Sequence, residues 1–367
     1  MPRTSLLEFD AAAFRAELEK RELPKFRVEQ IRRWIFSRKA ADFAVMTDLP
    51  ISLRCELAEK FDIFCGTVVA HQKSHENAED QSNKKCRQES NGGNSIDHTE
   101  KLLLEWHDGH RVECVLLRDN RNHRTACIST QVGCAMKCLF CASGLDGFVR
   151  NLTRGEIFEQ ILRLNQLLSD HERLTHLVIM GTGEPMLNLK PLLSALDDAT
   201  AADSLDVSKR RVTISTVGIP RGIKQLADSD VMYRLAISLH APNNVLRNKI
   251  VPQNQHVGIS EILKAADYFF GKTGRRVTFE YILIDRVNDQ PEHARELVQL
   301  LKHRTAIVNL IPFNPVTELP YRTPSPSAVR RFLQMLEQGG IDVKIRFKRG
   351  NGINAACGQL RRDFRKE

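Results

Sequence analysis

Three cysteines crowd one short run, GCAMKCLFCASG, at Cys134, Cys138 and Cys141, in a CxxxCxxC spacing. Thiolates this close along a chain can wrap one metal centre. A structural zinc site closes with four ligands, commonly as two CxxC pairs, and the chain has no second pair. A four-iron, four-sulfur cluster ordinarily takes four cysteines. Three local thiolates leave one iron open to an outside molecule, as a catalytic cluster requires. The other cysteines are Cys55, Cys65, Cys86, Cys114, Cys127 and Cys357. Nine is an odd count, which argues against a secreted disulfide framework.

Other residues carry chemistry only in context. Gly183-Glu184 follows an apolar strand in MGTGEP, where a carboxylate and free backbone can hold an amino group, or where Glu184 merely caps the next helix. Cys127 lies among Ala126, Ile128 and Thr130, where a small buried thiol is common. Glu113 alternates with Val112 and Cys114, so it faces away from Cys114, either as a functional carboxylate or as the wet side of a hairpin. The chain end has Lys344, Arg346, Lys348, Arg349, Arg361, Arg362, Arg365 and Lys366 against Asp363 and Glu367, a run able to clamp phosphates or simply to be solvated.

These residues need a scaffold, and the pattern supplies one. The 367 residues are 42% apolar and 27% charged, with a net charge of +9, an ordinary globular composition with a bias toward polyanions: RNA, DNA or anionic membrane. The start, MPRTSLLEFD, turns acidic too early for a signal peptide, and no apolar run approaches the roughly 20 residues that span a bilayer. The expectation is a soluble cytoplasmic protein. Residues 1–64 read as helical, with helices over 10–23 and 26–36 and a third from Leu49-Pro50. Residues 71–99 hold one large apolar side chain, Ile96, and read as a flexible insertion. KLLLEW and RVECVLLR flank Asp108-Gly109, a hairpin signal. From Thr125 the pattern alternates, with strands near 125–130, 175–180, 211–216, 234–239, 276–283, 306–311 and 342–347. Thr153 and Glu156 form a capping box ahead of the first helix, and Asn288-Asp289 and Ser325-Pro326 mark later helix starts. Repeated βα units imply a parallel sheet whose strand C-terminal ends hold the site.

With its CxxxCxxC after the first strand, the chain resembles the radical S-adenosylmethionine (SAM) superfamily. STQVGCAMKCLFCASG, MGTGEP, RRVTIST, AISLHAP, IPFNP and AACGQL narrow the resemblance to RNA adenosine methyltransferases of the RlmN/Cfr family, and FRVEQIRRWIF and MTDLP extend it into the helical N-terminus. The resemblance implies an α/β fold, a partial (βα)6 TIM-like radical SAM barrel with an N-terminal helical domain and a small β extension. Its divisions are 1–64, 65–120 with the insertion, a core of 121–348, and a C-terminal cysteine segment with basic tail over 349–367.

By the same resemblance, Cys134, Cys138 and Cys141 hold one [4Fe–4S] cluster. Gly183, Glu184, Ser215, Ser238, Leu239, His240 and Asn314 line the SAM site. Cys357 accepts a methyl from a first SAM, and a radical generated from a second removes a hydrogen atom from it. The methylene radical then adds to an adenine carbon that has no lone pair for polar methylation. Glu113 accepts the ring proton, and Cys127 resolves the enzyme–RNA thioether by a transient disulfide with Cys357. Arg286 stands where the family usually has glycine. The implied partners are 23S rRNA, with tRNA as a second candidate, and an electron donor such as flavodoxin or ferredoxin. The chain is expected to be a monomer with no membrane association.

The C2 carbon of adenine is the expected target. C8 methylation of the same base is one alternative. The other is a non-catalytic, metal-stabilised RNA-binding protein.

Overall fold

The structure is a computed structural model that describes residues 3–21, 23–74, 98–346, 353 and 355–360. Its N-terminal unit is built on three helices: α1 (Ala11–Glu19), α2 (Lys25–Phe36) and α3 (Ile51–Lys60). Asp10 caps α1 by accepting from the Ala13 amide at 2.8 Å. Apolar residues at helical spacing, Phe14 and Leu18 on α1 and Ile31 and Ile35 on α2, are buried together. Spacing did not announce the parallel pair that brings the two ends of this unit together: β1 (Thr4–Ser5) lies beside β2 (Phe61–Asp62), with Thr4 opposite Phe61.

A three-stranded antiparallel extension follows: β3 (Thr67–Lys73), β4 (Glu100–Glu105) and β5 (Arg111–Arg118). Gly109 turns the β4–β5 hairpin at φ +76°, a left-handed conformation natural to glycine. The first residues of the insertion expected over 71–99 are strand instead. His71, Gln72 and Lys73 are strand, paired with Leu102, Lys101 and Glu100. The reason is electrostatic rather than apolar, because His71 and Lys73 lie 2.6 and 3.5 Å from the Glu100 carboxylate. The remainder of that segment, 75–97, lies outside the described residues, as do Lys348, Arg349 and the tail residues 361–367.

The core is an open parallel barrel. Strands β6 (Arg124–Cys127), β9 (His176–Ile179), β10 (Val212–Thr216), β11 (Arg234–Ser238), β12 (Val277–Leu283), β13 (Ala306–Pro312) and β14 (Asp342–Ile345) run parallel. The extension strands continue the sheet antiparallel from β6, so the order is β14-β13-β12-β11-β10-β9-β6-β5-β4-β3. The resemblance implied six βα units; β14 adds a seventh parallel strand at the edge. A separate two-stranded piece, β7 (Gln131–Gly133) with β8 (Phe148–Asn151), grips the cysteine loop. Among the described residues no helix is long and apolar enough to cross a membrane.

Strand alternation divides the two faces. Val212 and Ile214, Leu235 and Ile237, Phe279 and Tyr281, and Val308 and Leu310 point to one side. There they pack on α4 (Arg154–Gln166), α5 (Leu189–Thr200), α6 (Pro220–Asp228), α8 (Ile259–Thr273), α9 (Pro291–Leu301) and α10 (Pro326–Gln338). Between β11 and α8 sits the short helix α7 (Asn244–Ile250). The predicted capping box closes α4, with Thr153 Oγ1 accepting from the Glu156 amide at 3.2 Å and Glu156 Oε2 from the Thr153 amide at 2.8 Å. Ser325 caps α10. Asn288 does not start a helix: its side chain folds back onto Ile284 N, Ile282 O and His240 O, and α9 is capped by Gln290.

Candidate active site

The loop between β7 and β8 carries the three cysteines. Its neck is closed by the Cys134 amide donating to Gly147 O at 3.0 Å, and its far side is tied by Leu139 N to Ile250 O at 3.0 Å. All three thiols are half-buried against an apolar wall that includes Met136, Phe140, Val217, Ile250 and Phe313. Burial is the largest cause pushing each thiol up, Cys134 to about 12, and the other cysteines add to it at Cys134 and Cys138. Three negative sulfurs in one apolar pocket repel one another, and a cationic iron–sulfur centre reverses that penalty. The donor set therefore fits such a centre. Among the described residues no three His, Cys, Asp or Glu side chains are gathered as around a single ion.

The residues expected to hold SAM surround this loop at the strand C-terminal ends. Gly183 has φ +110°, and a Cβ there would stand 2.7 Å from Gln131 Cβ and 2.8 Å from Thr130 Oγ1, so only glycine fits. Glu184 is buried. Its carboxylate accepts from Met186 N at 2.9 Å, Thr216 Oγ1 at 2.7 Å and Val217 N at 2.8 Å. It thus caps the next turn, as sequence allowed, and locks the ends of β9 and β10 together. Burial raises its pKa against these three donors. Ser215 and Ser238 lie on the face opposite the helix-covered core.

His240 has φ +59°, accepts from Ile282 N at 3.1 Å through Nδ1, and meets Phe140 edge-on with ring centroids 4.7 Å apart. Burial, with Arg247 nearby, lowers its pKa to about 3, so the ring is neutral. Asn314 is buried and donates from Nδ2 to Cys357 O at 3.2 Å, while its Oδ1 has no partner. A buried acceptor left bare beside the cysteine loop fits a site shaped for a polar ligand such as SAM.

Sequence reading missed Arg247. It is 1% exposed and donates to Leu239 O (2.9 Å), Ser238 O (3.0 Å), Val217 O (2.6 Å) and Asn254 Oδ1 (2.8 Å). One guanidinium thereby fixes the loops after β10 and β11. Burial lowers its pKa to about 10. No motif marks it, because its partners are carbonyls.

The chain's C-terminal turn reaches the same mouth. Ala142 N donates to Gly358 O and Ser143 Oγ to Leu360 O, each at 2.8 Å, which stitches the turn to the cysteine loop. Gln359 holds it from the other side, donating to Pro315 O at 2.8 Å. Cys357 is exposed at this turn. Ile353, Ala355 and Leu360 pack on Val115 of β5, with Cys127 against the same group. Val115 and Cys127 are ladder partners, and Glu113, two residues before Val115, shares their face. Burial pushes Cys127 up to about 12, and the charge of Cys357 adds to it.

Two charged residues without a sequence signal, Lys101 and Glu280, complete the region together with Arg346 of the basic run. Lys101 Nζ lies 2.8 Å from Glu113 Oε1, with both side chains nearly fully buried. Arg346 lies near Cys357, Glu280 and Cys127, whose charges raise its pKa although burial opposes this. Glu280 is 4% exposed; Asn309 donates to its Oε1 at 2.9 Å, and its Oε2 has no partner. Cys114, on the other face of β5, is core.

Comparison with known proteins matches this architecture. Residues 128–298 match the Radical SAM superfamily, and residues 4–63 match the ribosomal RNA large subunit methyltransferase N-terminal domain. A probable dual-specificity RNA methyltransferase RlmN of Rhodopirellula baltica is 50% identical over 98% of this chain and 91% of its own length. Another of that name, from Carboxydothermus hydrogenoformans, is 42% identical over 98% of both chains. Among solved structures, a radical SAM methyltransferase from Sphaerobacter thermophilus superposes with a TM-score of 0.89 at 37% identity, covering 98% of this chain and 100% of that one.

Proposed function

The chain belongs to the RlmN family of radical SAM methyltransferases, and from that premise we propose that it methylates C2 of an adenosine in 23S rRNA through an S-methylated Cys357, using two SAM molecules per methyl. It is a radical SAM-dependent RNA methyltransferase with one [4Fe–4S] cluster and SAM as cofactors. Cys134, Cys138 and Cys141 would hold the cluster, which when bound would supply the electron for reductive cleavage of SAM and would take back the odd electron of the base adduct. Everything else falls to the chain's own groups.

Gly183 lets the backbone approach SAM, and Glu184, Ser215, Ser238, Leu239, His240 and Asn314 orient it. Cys357 carries the methyl carbon, because a methyl sulfonium cannot be attacked by a ring carbon without a lone pair. Glu113 accepts the ring proton, with Lys101 compensating the charge of its carboxylate. Cys127, giving up its thiol proton, then attacks the Cys357 sulfur. The disulfide forms as the carbon–sulfur bond breaks, and the released carbon takes up a proton to become the product methyl. A base must leave its stack to enter, which favours loops and unpaired junctions of rRNA and, as a second substrate, tRNA.

The observation that carries this reading is the stitching of the Cys357 turn to the cysteine loop through Ala142 and Ser143. Peptide mass spectrometry of purified protein tests it directly, with a methyl expected on Cys357. Digested rRNA from knockout and complemented cells locates the product, and methyl at C8 overturns the C2 assignment. Colourless zinc protein after anaerobic reconstitution with iron and sulfide overturns catalysis itself.

A further inference from the structure

The turn that carries Cys357 is tied down mostly through its neighbours. Ala142 N reaches Gly358 O, Ser143 Oγ reaches Leu360 O and Gln359 Nε2 reaches Pro315 O, each at 2.8 Å. Among the described residues, the tie to Cys357 itself comes from Asn314, whose Nδ2 donates to the Cys357 carbonyl at 3.2 Å. That bond is the longest of the four, at the far end of the ordinary range. The same carboxamide leaves Oδ1 buried and without a partner, in a residue only 4% exposed. Chemistry fixes which end faces which way. A carbonyl only accepts, so the amide nitrogen must face Cys357 and the bare atom must be the acceptor.

Asn314 directly follows Phe313, whose ring belongs to the apolar wall behind the three cysteines. It therefore links the carrier turn to the segment that walls the cysteine pocket. A buried acceptor with no donor is costly. With the pocket empty, the carboxamide can satisfy Oδ1 only by rotating toward water, which gives up the bond to Cys357. A ligand that brings a donor to Oδ1 removes this conflict. It also polarises the amide and so strengthens the N–H bond at the other end. The balance between a seated and a released turn then depends on the ligand.

We propose that Asn314 couples SAM occupancy to the seating of the Cys357 turn: a donor group of SAM on Oδ1 holds Nδ2 against the Cys357 carbonyl, and departure of SAM loosens it. The assignment rests on the function proposed above, in which Asn314 lines the SAM site. Asn314 acts on the thiol through the turn, as a positioning residue. In that reaction Cys357 must meet SAM, then the base, then Cys127. A turn seated only while SAM is bound gives the thiol a fixed place for the first meeting and freedom for the last.

The test uses full-length reconstituted protein without reductant, with S-adenosylhomocysteine as the probe, because it keeps the amino, ribose and adenine donors of SAM but has no methyl to transfer. Hydrogen–deuterium exchange of the peptide holding residues 355–360 reads the seating of the turn, and titration calorimetry reads binding. In wild type, saturating probe is expected to slow that exchange by at least about 5-fold, the low end of ordinary coupling between two sites. Asn314→Ala is expected to bind the probe more weakly and, once saturated, to show no slowing. Ser143→Ala removes a different tie, so exchange should be faster throughout while the slowing by the probe persists. Should Asn314→Ala fail to fold, Asn314→Asp at pH 8, equal in size but with no N–H to offer, takes its place. No slowing in saturated wild type, slowing retained in the Asn314 variant, or slowing lost equally in Ser143→Ala each overturns the coupling. Failure of wild type to bind the probe defeats the functional reading and the coupling with it, whereas binding without slowing removes the coupling alone.

Discussion

Lys101 and Glu113 form an ion pair at 2.8 Å across the β4–β5 ladder, with side chains only 5% and 3% exposed. Lys101 pairs in register with Val115 and Glu113 with Leu103, so the contact is diagonal on the inner face. Breaking a buried pair leaves one charge uncompensated, a loss of about 3–5 kcal/mol. Lys101→Met and Glu113→Gln are each expected to lower stability by about that order, and the double variant by less than either. Urea unfolding of all four proteins checks it. Equal losses that simply add would deny the coupling.

Cys127→Ala separates carbon transfer from release. Cys127 sits on the Val115 pairing position, against the group that holds the Cys357 turn. Without its sulfur the thioether has no resolving thiol, so RNA is expected to remain attached to Cys357. A nuclease-sensitive band shift on a denaturing gel reports it. Turnover at the wild-type rate with no shifted band contradicts the role.

His240 gives a pH dependence with a definite sign. Burial lowers its pKa from 6.5 to about 3, and Nδ1 accepts the Ile282 amide, so the folded state holds it neutral. The unfolded chain protonates near 6.5. Stability from this group is present above pH 6.5 and is lost as pH falls toward 3, by about 1.4 kcal/mol per unit within that window. His240→Asn can still accept the amide and tolerates a positive φ, but binds no proton. Denaturant melts from pH 7 to 4 should show a shallower decline for the variant, and parallel curves would refute the cause.

Local chemistry was legible in the sequence, and lateral chemistry was not. The Thr153–Glu156 box, the Asp108-Gly109 turn and the cysteine spacing depend on residues near one another, so each could be read directly. The left-handed backbone at Arg286, φ +56°, likewise accounts for the glycine usual there. Glu280 and Asn309, 29 residues apart, meet only because β12 and β13 align in one register. Arg247 grips carbonyls that every residue possesses, so its identity carries no pattern. Strands β1, β2 and β7 are two or three residues long, too short for alternation to announce them.

Gly183→Ala should act on the SAM site rather than on the fold at large. Its φ of +110° is one that side-chain-bearing residues rarely adopt, and a Cβ would press on Gln131 Cβ at 2.7 Å and Thr130 Oγ1 at 2.8 Å. Either the strand end shifts or Thr130 and Gln131 do, and Gln131 Oε1 accepts the Glu184 amide at 2.8 Å. Any relaxation therefore moves Glu184. Gly109→Ala supplies the control: its φ is also positive, +76°, but nothing lies within 4 Å of the added carbon. It should cost about 1 kcal/mol of stability by backbone strain alone. SAM affinity is expected to fall at least about 10-fold in Gly183→Ala, a displacement worth roughly one hydrogen bond, and to hold in Gly109→Ala. Gly109→Ala should keep about four irons per chain, whereas the Gly183 amide hydrogen-bonds the Cys134 sulfur, so iron content is measured beside SAM affinity in Gly183→Ala. Equal SAM affinity in the two variants would mean that the strand end can yield without moving Glu184, and that Gly183 is conformational only.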